Sequence, residues 1–357
     1  MNTTSNFKPL PLAIVGLSFG QYIISLLQQP EVAKFFKLVA VSDLKKDMAD
    51  EVAAKYGVKA YYSLDQVLQD SSIAVVGLYT QPYGRAQLLR EIIRSGRDVM
   101  TTKPFELDIA EAEQVLREAQ HLNRVVHLNS PSPKPTLDLL QIQTWAKEYK
   151  LGRLVSARGE VWASYFEDAD GSWMDNPMLC PGGVMMRLGI YLINDIIRLA
   201  GPIDQMNLVS SHVRTGRPTP DNAMLTLSFA SGCLASVFAS FCVDDGDRYS
   251  NGLTLNYERG TIYRNIGVGG LSPKLGNANL SLVMREEDTE MGRVVETRSL
   301  AEVSGLYQWE NLYWSIMHRE TISDDYIQKI VEGVRILQFM QEPRSPAKSA
   351  AVLQAKA

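Results

Sequence analysis

The sequence predicts an α/β protein, with an N-terminal doubly wound parallel-sheet domain and a C-terminal α+β domain whose large open sheet is mostly antiparallel. Three observations carry this. The first third of the chain alternates short apolar runs with amphipathic stretches, the β-α rhythm of a twisted parallel sheet covered by helices. A turn-rich segment, Ser130-Pro131-Ser132-Pro133-Lys134-Pro135, then interrupts that rhythm. From Met206 to about Leu300, apolar runs are punctuated by Gly, Asn and Asp, as in an antiparallel sheet. The 357 residues suit two domains of roughly 100–200 residues each. We place them at 1–129 and 130–357, with the last helix free to pack back on the first domain.

Each element has its own signal. Leu12-Ala13-Ile14-Val15 is a continuous apolar run, as expected of a parallel strand buried on both faces. Gly16 to Gly20 reads as a turn leading into a helix at Tyr22–Leu27. Leu38–Ser42 is the second strand, and Met48–Tyr56 a helix stopped by Gly57. Ile73–Leu78 and Asp98–Thr101 are further strands, with a helix at Arg85–Arg94 between them. Ile109–Leu122 is amphipathic with acids in its first turn, and Val125–Leu128 is another strand. Past the turn-rich segment come a helix (Leu137–Lys150), a strand (Leu154–Trp162), a long loop and a helix from Gly183. Strands follow at Asn207–Val213, Ala223–Phe229, Leu234–Cys242, Leu253–Tyr257 and Gly260–Arg264. A helix at Tyr326–Met340 closes the fold.

Composition narrows the function. Net charge is −4, and no block of five like charges occurs, which disfavours nucleic acid and anionic membranes as partners. Cys180, Cys233 and Cys242 lack the number and spacing of a disulfide framework or zinc site, and they fit a reducing cytoplasm. Met1–Pro11 has no basic region leading into an apolar stretch, so a cytoplasmic location is expected. The most apolar long stretch, Val184–Leu199, is broken by Arg187, Asn194, Asp195 and Arg198 and reads as a buried helix rather than a membrane span.

The first turn, Gly16-Leu17-Ser18-Phe19-Gly20-Gln21, sits where a Rossmann phosphate loop G-x-G-x-x-G would lie. Only its first glycine matches. Ser18 replaces the second and can still donate to a phosphate. Gln21 replaces the third, where it should push the helix away from the strand unless Gly20 relieves the contact. Asp43 ends the second strand, where a carboxylate would accept both hydroxyls of an adenosine ribose; the competing reading makes it a capping residue. An acid there repels a 2′-phosphate and favours NAD over NADP, while Lys45 and Lys46 keep NADP in play. Gly16, Ser18, Phe19, Gly20 and Asp43 are thus the candidate cofactor contacts.

Lys103 is the most informative single residue. It follows the strand Asp98–Thr101, so its amine points into the crevice at the carboxyl edge of the sheet, where doubly wound folds bind ligands. Pro104 restricts its backbone to extended conformations and presets that direction.

The glycine turn, the late Lys-Pro and the Gly182-Gly183 pair opening a helix together resemble the Gfo/Idh/MocA oxidoreductases, over nearly the whole chain. The resemblance implies a nucleotide-binding domain followed by an α+β domain whose sheet mediates a dimer or tetramer. The family's Glu-Lys-Pro corresponds to Thr102-Lys103-Pro104, and its Asp-x-Gly-x-His-x-x-Asp helix to Arg187-Leu188-Gly189-Ile190-Tyr191-Leu192-Ile193-Asn194. Thr80 and Arg85 fall where many members carry Thr-Pro and a histidine, so Thr80, Gln81 and Thr102 join the cofactor contacts. The glutamate, both helix acids and the histidine are replaced, whereas the lysine is kept.

Positions 187, 191 and 194 recur at helical steps of four and three, which places Arg187, Tyr191 and Asn194 on one face. If that face lines the cleft, Lys103 and Tyr191 are the catalytic pair, with the nearby cations lowering the tyrosine's pKa and depressing the lysine's own. The competing reading makes Tyr191 a core aromatic and Arg187 a surface charge. Arg187 and Asn194 are candidate substrate contacts, and an arginine at 187 points to a carboxylate or phosphate on the substrate. Trp162, Tyr165 and Trp173, leading into that helix, could stack on a sugar ring or simply pack. The expected activity is NAD(H)-dependent oxidoreduction at a secondary alcohol or ketone of a sugar, cyclitol or related polyol, on a small-molecule substrate and without a metal. Two alternatives stay open: a non-catalytic nucleotide- or sugar-binding regulator, and a redox-neutral enzyme with tightly held NAD.

Overall fold

The computed structural model describes residues 8–165, 167–214, 216–244, 249–266, 277–285, 292–301 and 303–341. The first part comprises β1 (Leu10–Val15), α1 (Leu17–Leu27), α2 (Pro30–Ala33), β2 (Phe36–Ser42), α3 (Lys46–Tyr56), β3 (Lys59–Tyr61) and α4 (Leu64–Gln69). It continues through β4 (Val75–Leu78), α5 (Arg85–Arg94), β5 (Asp98–Thr101), α6 (Ile109–His121) and β6 (Val126–Leu128). The six strands form one parallel sheet in the order β3-β2-β1-β4-β5-β6. Strand order reverses between β1 and β4, which opens a crevice at their carboxyl ends.

Then come α7 (Leu137–Glu148), β7 (Leu154–Ala163), a 3₁₀ turn (Trp173–Asp175), a π-helical turn (Met185–Gly189), α8 (Ile190–Ala200) and β8 (Ile203–Ser211). They are followed by β9 (Asn222–Phe229), β10 (Leu234–Ser240), β11 (Tyr249–Tyr257), β12 (Gly260–Ile266), β13 (Ala278–Arg285) and β14 (Gly292–Leu300). These strands make an eight-stranded sheet, β14-β13-β12-β11-β7-β10-β9-β8. Its pairs are antiparallel except β10 with β7. The last described elements are α9 (Trp309–His318) and α10 (Asp324–Gln341).

Burial explains the layering. One face of the parallel sheet packs against α1, α3 and α9, the other against α5, α6 and the first half of α10. Ile336, Leu337 and Met340, further along α10, join the core of the second sheet. One helix therefore ties the two sheets together. In the second sheet, Ala157, Val161 and Ala163 of β7 face α8, and Leu192 packs against Gly159. Burying the larger of these, Val161 and Leu192, contributes on the order of 1.5–3 kcal/mol each relative to exposure.

The structure departs from the sequence reading in instructive places. Helix α1 begins at Leu17, directly after Gly16, so Ser18, Phe19 and Gly20 lie in its first turn and not in a loop. The short edge strand β3, with α2 and α4, carries too little apolar pattern to be read, and β13, β14 and α9 were also missed. The turn-rich Ser130–Pro135 segment is no loose hinge. Ser130, Pro131 and Ser132 are buried, and Asn194 donates through Nδ2 to Ser130 Oγ at 3.0 Å. The apolar Val184–Leu199 stretch lies in the interior as the π turn and α8. Among the described residues no helix is long and apolar enough to cross a membrane.

A fully buried guanidinium fixes the inner side of the second sheet. Arg264 pairs with Asp195 at 2.7 Å and Asp138 at 3.0 Å and donates to Asn251 Oδ1 at 2.7 Å. Ser304 Oγ donates to Asp195 Oδ1 at 2.5 Å, which pins the segment leading to α9 against α8. Burial raises the Asp195 carboxyl against the opposing pull of Arg264.

Candidate active site

The site is assembled from the carboxyl ends of β1, β4, β5 and β6 and from the π turn and α8 of the second sheet. Gly16 leaves β1 with φ +87°, a conformation that L side chains rarely adopt. A Cβ there would lie 2.8 Å from the Tyr79 carbonyl oxygen. Gly20 faces the strand: its missing Cβ would stand 2.8 Å from Ile14 Cγ2, while Gln21 is exposed. Close helix–strand packing therefore falls to Gly20, and Gln21 does not push the helix outward. Ser18 and Phe19 are exposed on the first turn of α1.

Asp43 sits beside this turn. Its carboxylate accepts the Leu17 amide at 2.8 Å and the Lys45 amide at 2.9 Å, so it caps α1 and closes its own turn. Two accepted bonds leave lone pairs on both oxygens. Thr80, at the end of β4, has a buried hydroxyl without a hydrogen-bond partner, as does Tyr79; Gln81 is exposed. A side-chain-free cradle at a helix N-terminus, with an orphaned hydroxyl across from it, fits a dinucleotide pyrophosphate.

Lys103 leaves β5 through a cis bond to Pro104. Its Nζ donates to the Arg187 carbonyl at 2.5 Å and lies 4.4 Å from the centroid of the Tyr191 ring. The sequence thus brings an amine from the parallel sheet and a phenol from α8 into one place. Burial lowers the Lys103 pKa to about 7, and the Arg187 and Arg85 charges add to the effect. The expectation for Tyr191 is reversed: burial raises its pKa well above the usual phenol range, and nearby tyrosines reinforce this. The phenol stays protonated, with Asn129 Nδ2 donating to its hydroxyl at 3.5 Å. A π turn, rather than regular α-helix, carries Arg187, and such turns are frequent at functional sites.

Arg187 itself is not a free cation. It forms a bidentate pair with Glu167 at 2.5 and 2.8 Å and stacks on Phe241 at 4.6 Å. Glu167 also accepts from Arg217 Nε at 3.1 Å, and Arg217 pairs with Asp170 and Asp175. Hydrogen bonding from Arg187 lowers the Glu167 carboxyl's pKa. The ground for expecting an anionic substrate, an unpaired guanidinium, is therefore absent.

The other expected substrate contacts also move. Asn194 is buried, bonded to Ser130 and closed against Gly333 of α10, so its amide does not face the cleft. Trp162 lies on the face of β7 that carries Arg158 and Glu160, opposite the core-facing Val161 and Ala163. Strand alternation puts it on the open side of the sheet, away from Lys103. Trp173 packs against the second-sheet core, and Tyr165 stacks on Phe241 at 5.2 Å.

Two residues that hold the site were not singled out as such. Asn129, just past β6, accepts the Lys103 amide at 3.0 Å and donates to the Gly305 carbonyl at 3.0 Å. Its position at a strand's carboxyl end was the available signal. Tyr307 donates to Thr102 Oγ1 at 2.8 Å and packs edge-on to Tyr79, and nothing local in the sequence marks it.

Comparison with known proteins matches this architecture twice. Residues 10–130 match the oxidoreductase family with an NAD-binding Rossmann fold, and residues 139–263 the GFO/IDH/MocA C-terminal domain. The chain belongs to the Gfo/Idh/MocA oxidoreductase family. The chain is 25% identical over 198 residues to an uncharacterized oxidoreductase of Schizosaccharomyces pombe, covering 54% of this chain and 52% of that protein. The chain thus spans about half the length of that relative. It is 26% identical over 255 residues to trans-1,2-dihydrobenzene-1,2-diol dehydrogenase of Oryctolagus cuniculus, covering 69% of this chain and 71% of that one.

Solved structures agree in fold. The 3-ketoreductase from Actinomadura kijaniata, in complex with TDP-benzene and NADP, gives a TM-score of 0.69 at 14% identity, covering 92% of this chain and 96% of that one. The WlbA dehydrogenase from Bordetella pertussis, in complex with NADH and UDP-GlcNAcA, gives 0.69 at 13% identity over 92% and 94%. One neighbour thus holds NADP and the other NADH. An NAD(P)-binding Rossmann fold is common ground, and the choice between the two cofactors is left open.

Proposed function

We propose that this chain is an NAD(P)-dependent oxidoreductase acting on a secondary alcohol or the corresponding ketone of a small ring-bearing polyol. The observation that carries the reading is the Lys103 amine, set at the carboxyl edge of the parallel sheet beside the Gly16–Thr80 cradle with a pKa of about 7. A bound nicotinamide supplies the hydride acceptor or donor. Gly16, Ser18, Phe19, Gly20, Thr80, Gln81 and Thr102 would hold that cofactor, with the remaining lone pairs of Asp43 turned to a ribose.

Lys103 manages the proton. In the oxidation direction the neutral amine takes the hydroxyl proton as hydride leaves the same carbon; in reduction the ammonium returns it to the forming alkoxide. A base with a pKa near working pH suits both directions. The Arg187 carbonyl and the Tyr191 ring fix the amine, and Asn129 fixes the main chain that bears it. Tyr191, with its raised pKa, serves as a wall and a hydrogen-bonding group rather than as the base. A neutral substrate is favoured, because Glu167 balances Arg187.

The open face of the second sheet carries Trp162, Met224, Leu234 and Tyr263 among polar residues such as Arg158 and Glu160, and these apolar side chains support a homo-oligomer formed through it. A cytoplasmic location is in keeping with this reading.

Quenching of NADH and NADPH fluorescence, followed by turnover of a panel of cyclic diols, sugars and inositols, tests the proposal. Cofactor binding with turnover that falls ~10²–10⁴-fold in Lys103→Met is the expected result. Binding without turnover of any ring alcohol would instead favour a non-catalytic relative.

A further inference from the structure

Arg85 opens α5 and is almost wholly buried, with 1% exposure. Its hydrogen bonds go to main-chain carbonyls on two separate loops. One guanidinium nitrogen donates to Thr80, on the loop after β4. The other donates to Thr102 at 2.7 Å, to Pro104 and to Phe105 at 3.4 Å, on the loop that carries Lys103. The nearest acid, Glu106, turns its two oxygens to the amides of Ala86 and Leu107, both at 2.8 Å.

We propose that Arg85 is a positioning residue that clamps the cofactor-side loop at Thr80 to the Lys103 loop, so that cofactor binding and placement of the amine are coupled. A planar fork with five donors can span two loops, whereas a histidine or lysine at the same place reaches fewer carbonyls. A buried cation also acts on its neighbour through space, here with Glu106 partly offsetting its charge. Arg85 adds to burial and to Arg187 in disfavouring the Lys103 ammonium, and burial lowers its own pKa to about 10. The inference rests on the proposed role of Lys103, and the experiment separates the two.

The pH dependence of Lys103 acylation by acetic anhydride, read by peptide mass spectrometry, reports the amine's titration without any substrate. NADH and NADPH fluorescence titrations report the cofactor side. Both are measured on the full chain as wild type, Arg85→Met and Arg85→Lys. The clamp predicts that Arg85→Met raises the acylation midpoint and weakens cofactor binding about tenfold. Arg85→Lys keeps the charge, so it should leave the midpoint near wild type and still weaken cofactor binding. A folded Arg85→Met with an unchanged midpoint and unchanged affinity overturns the clamp. If that variant does not fold, wild-type cofactor affinity in Arg85→Lys overturns it. A wild-type midpoint near the ordinary lysine range of ~10.4, with normal cofactor binding, would instead sink the Lys103 role. The bridging role of Arg85 would then still be decided by affinity.

Discussion

The Lys103 amine lies over the face of the Tyr191 ring, 4.4 Å from its centroid, and not at the tyrosine hydroxyl. The ammonium form in that position gains ~0.5–2 kcal/mol from the ring, and in the proposed function the phenol stays outside the proton path. The two groups meet as neighbours whose titrations move apart: burial drives the lysine down to about 7 and the tyrosine well up.

Tyr191→Phe is therefore expected to keep turnover within about tenfold of wild type, with an unshifted pH profile, because it retains the ring beneath the amine. Tyr191→Ala removes the ring and should cost more. Parallel pH–rate profiles decide this, and a lost or displaced limb in the phenylalanine variant would restore the tyrosine as a proton carrier.

Lys103 also makes stability depend on pH. Its folded pKa lies below its unfolded value of ~10.4, so the unfolded chain binds the proton more tightly and stability rises with pH between about 7 and that value. Lys103→Met removes this dependence. Its advantage over wild type in urea denaturation should be greatest below pH 7 and shrink steadily towards pH 10. An advantage that grows with pH would show the opposite sign.

Glu167→Gln removes the charge that balances Arg187, while Arg217 keeps its partners Asp170 and Asp175. Wild type is predicted to show no more than about threefold preference for a uronate over the matching neutral sugar, and the variant about a tenfold preference for the uronate. Competition binding measures both. A strong preference for uronate in the wild type would mean that Glu167 already yields Arg187 to the substrate.

Gly20→Ala should lower stability by ~1–3 kcal/mol, since the added methyl meets Ile14 at 2.8 Å in a packed strand–helix contact. Gln21→Ala, on the exposed side of α1, should stay within about ±0.5 kcal/mol. Denaturant midpoints compare them. Equal costs would return the packing position to residue 21.

Some of the site was legible because it depends on local chain direction. Gly16 after an apolar strand, Asp43 after the next and Lys103 after a later one each lie at a strand's carboxyl end, and the β-α rhythm orients every such end the same way. Helical spacing likewise grouped Arg187 with Tyr191. It failed at Asn194, because the interior faces of α8 meet different neighbours: Lys103 at one residue and α10 at the other. Trp162 could not be assigned to a face before the register of β7 was known. Strand β14 lies at the sheet's outer edge, where a mixed polar sequence carries little apolar alternation; β13 does alternate, with Ala278, Leu280 and Leu282 facing the core, but its run is short.

By itself the sequence determined the two-part architecture and the carboxyl-edge location of Lys103, since period and strand polarity are local properties of the chain; the meeting of Lys103 with Tyr191 came with the packing of α8 against the parallel sheet's edge. Only the tertiary structure decided the electrostatics. Glu167 lies 20 residues from Arg187 in the chain yet neutralises it, and the lysine and tyrosine pKa values are set by how deeply each group is buried. Charge pairing and desolvation depend on which segments pack together, and linear spacing does not encode them.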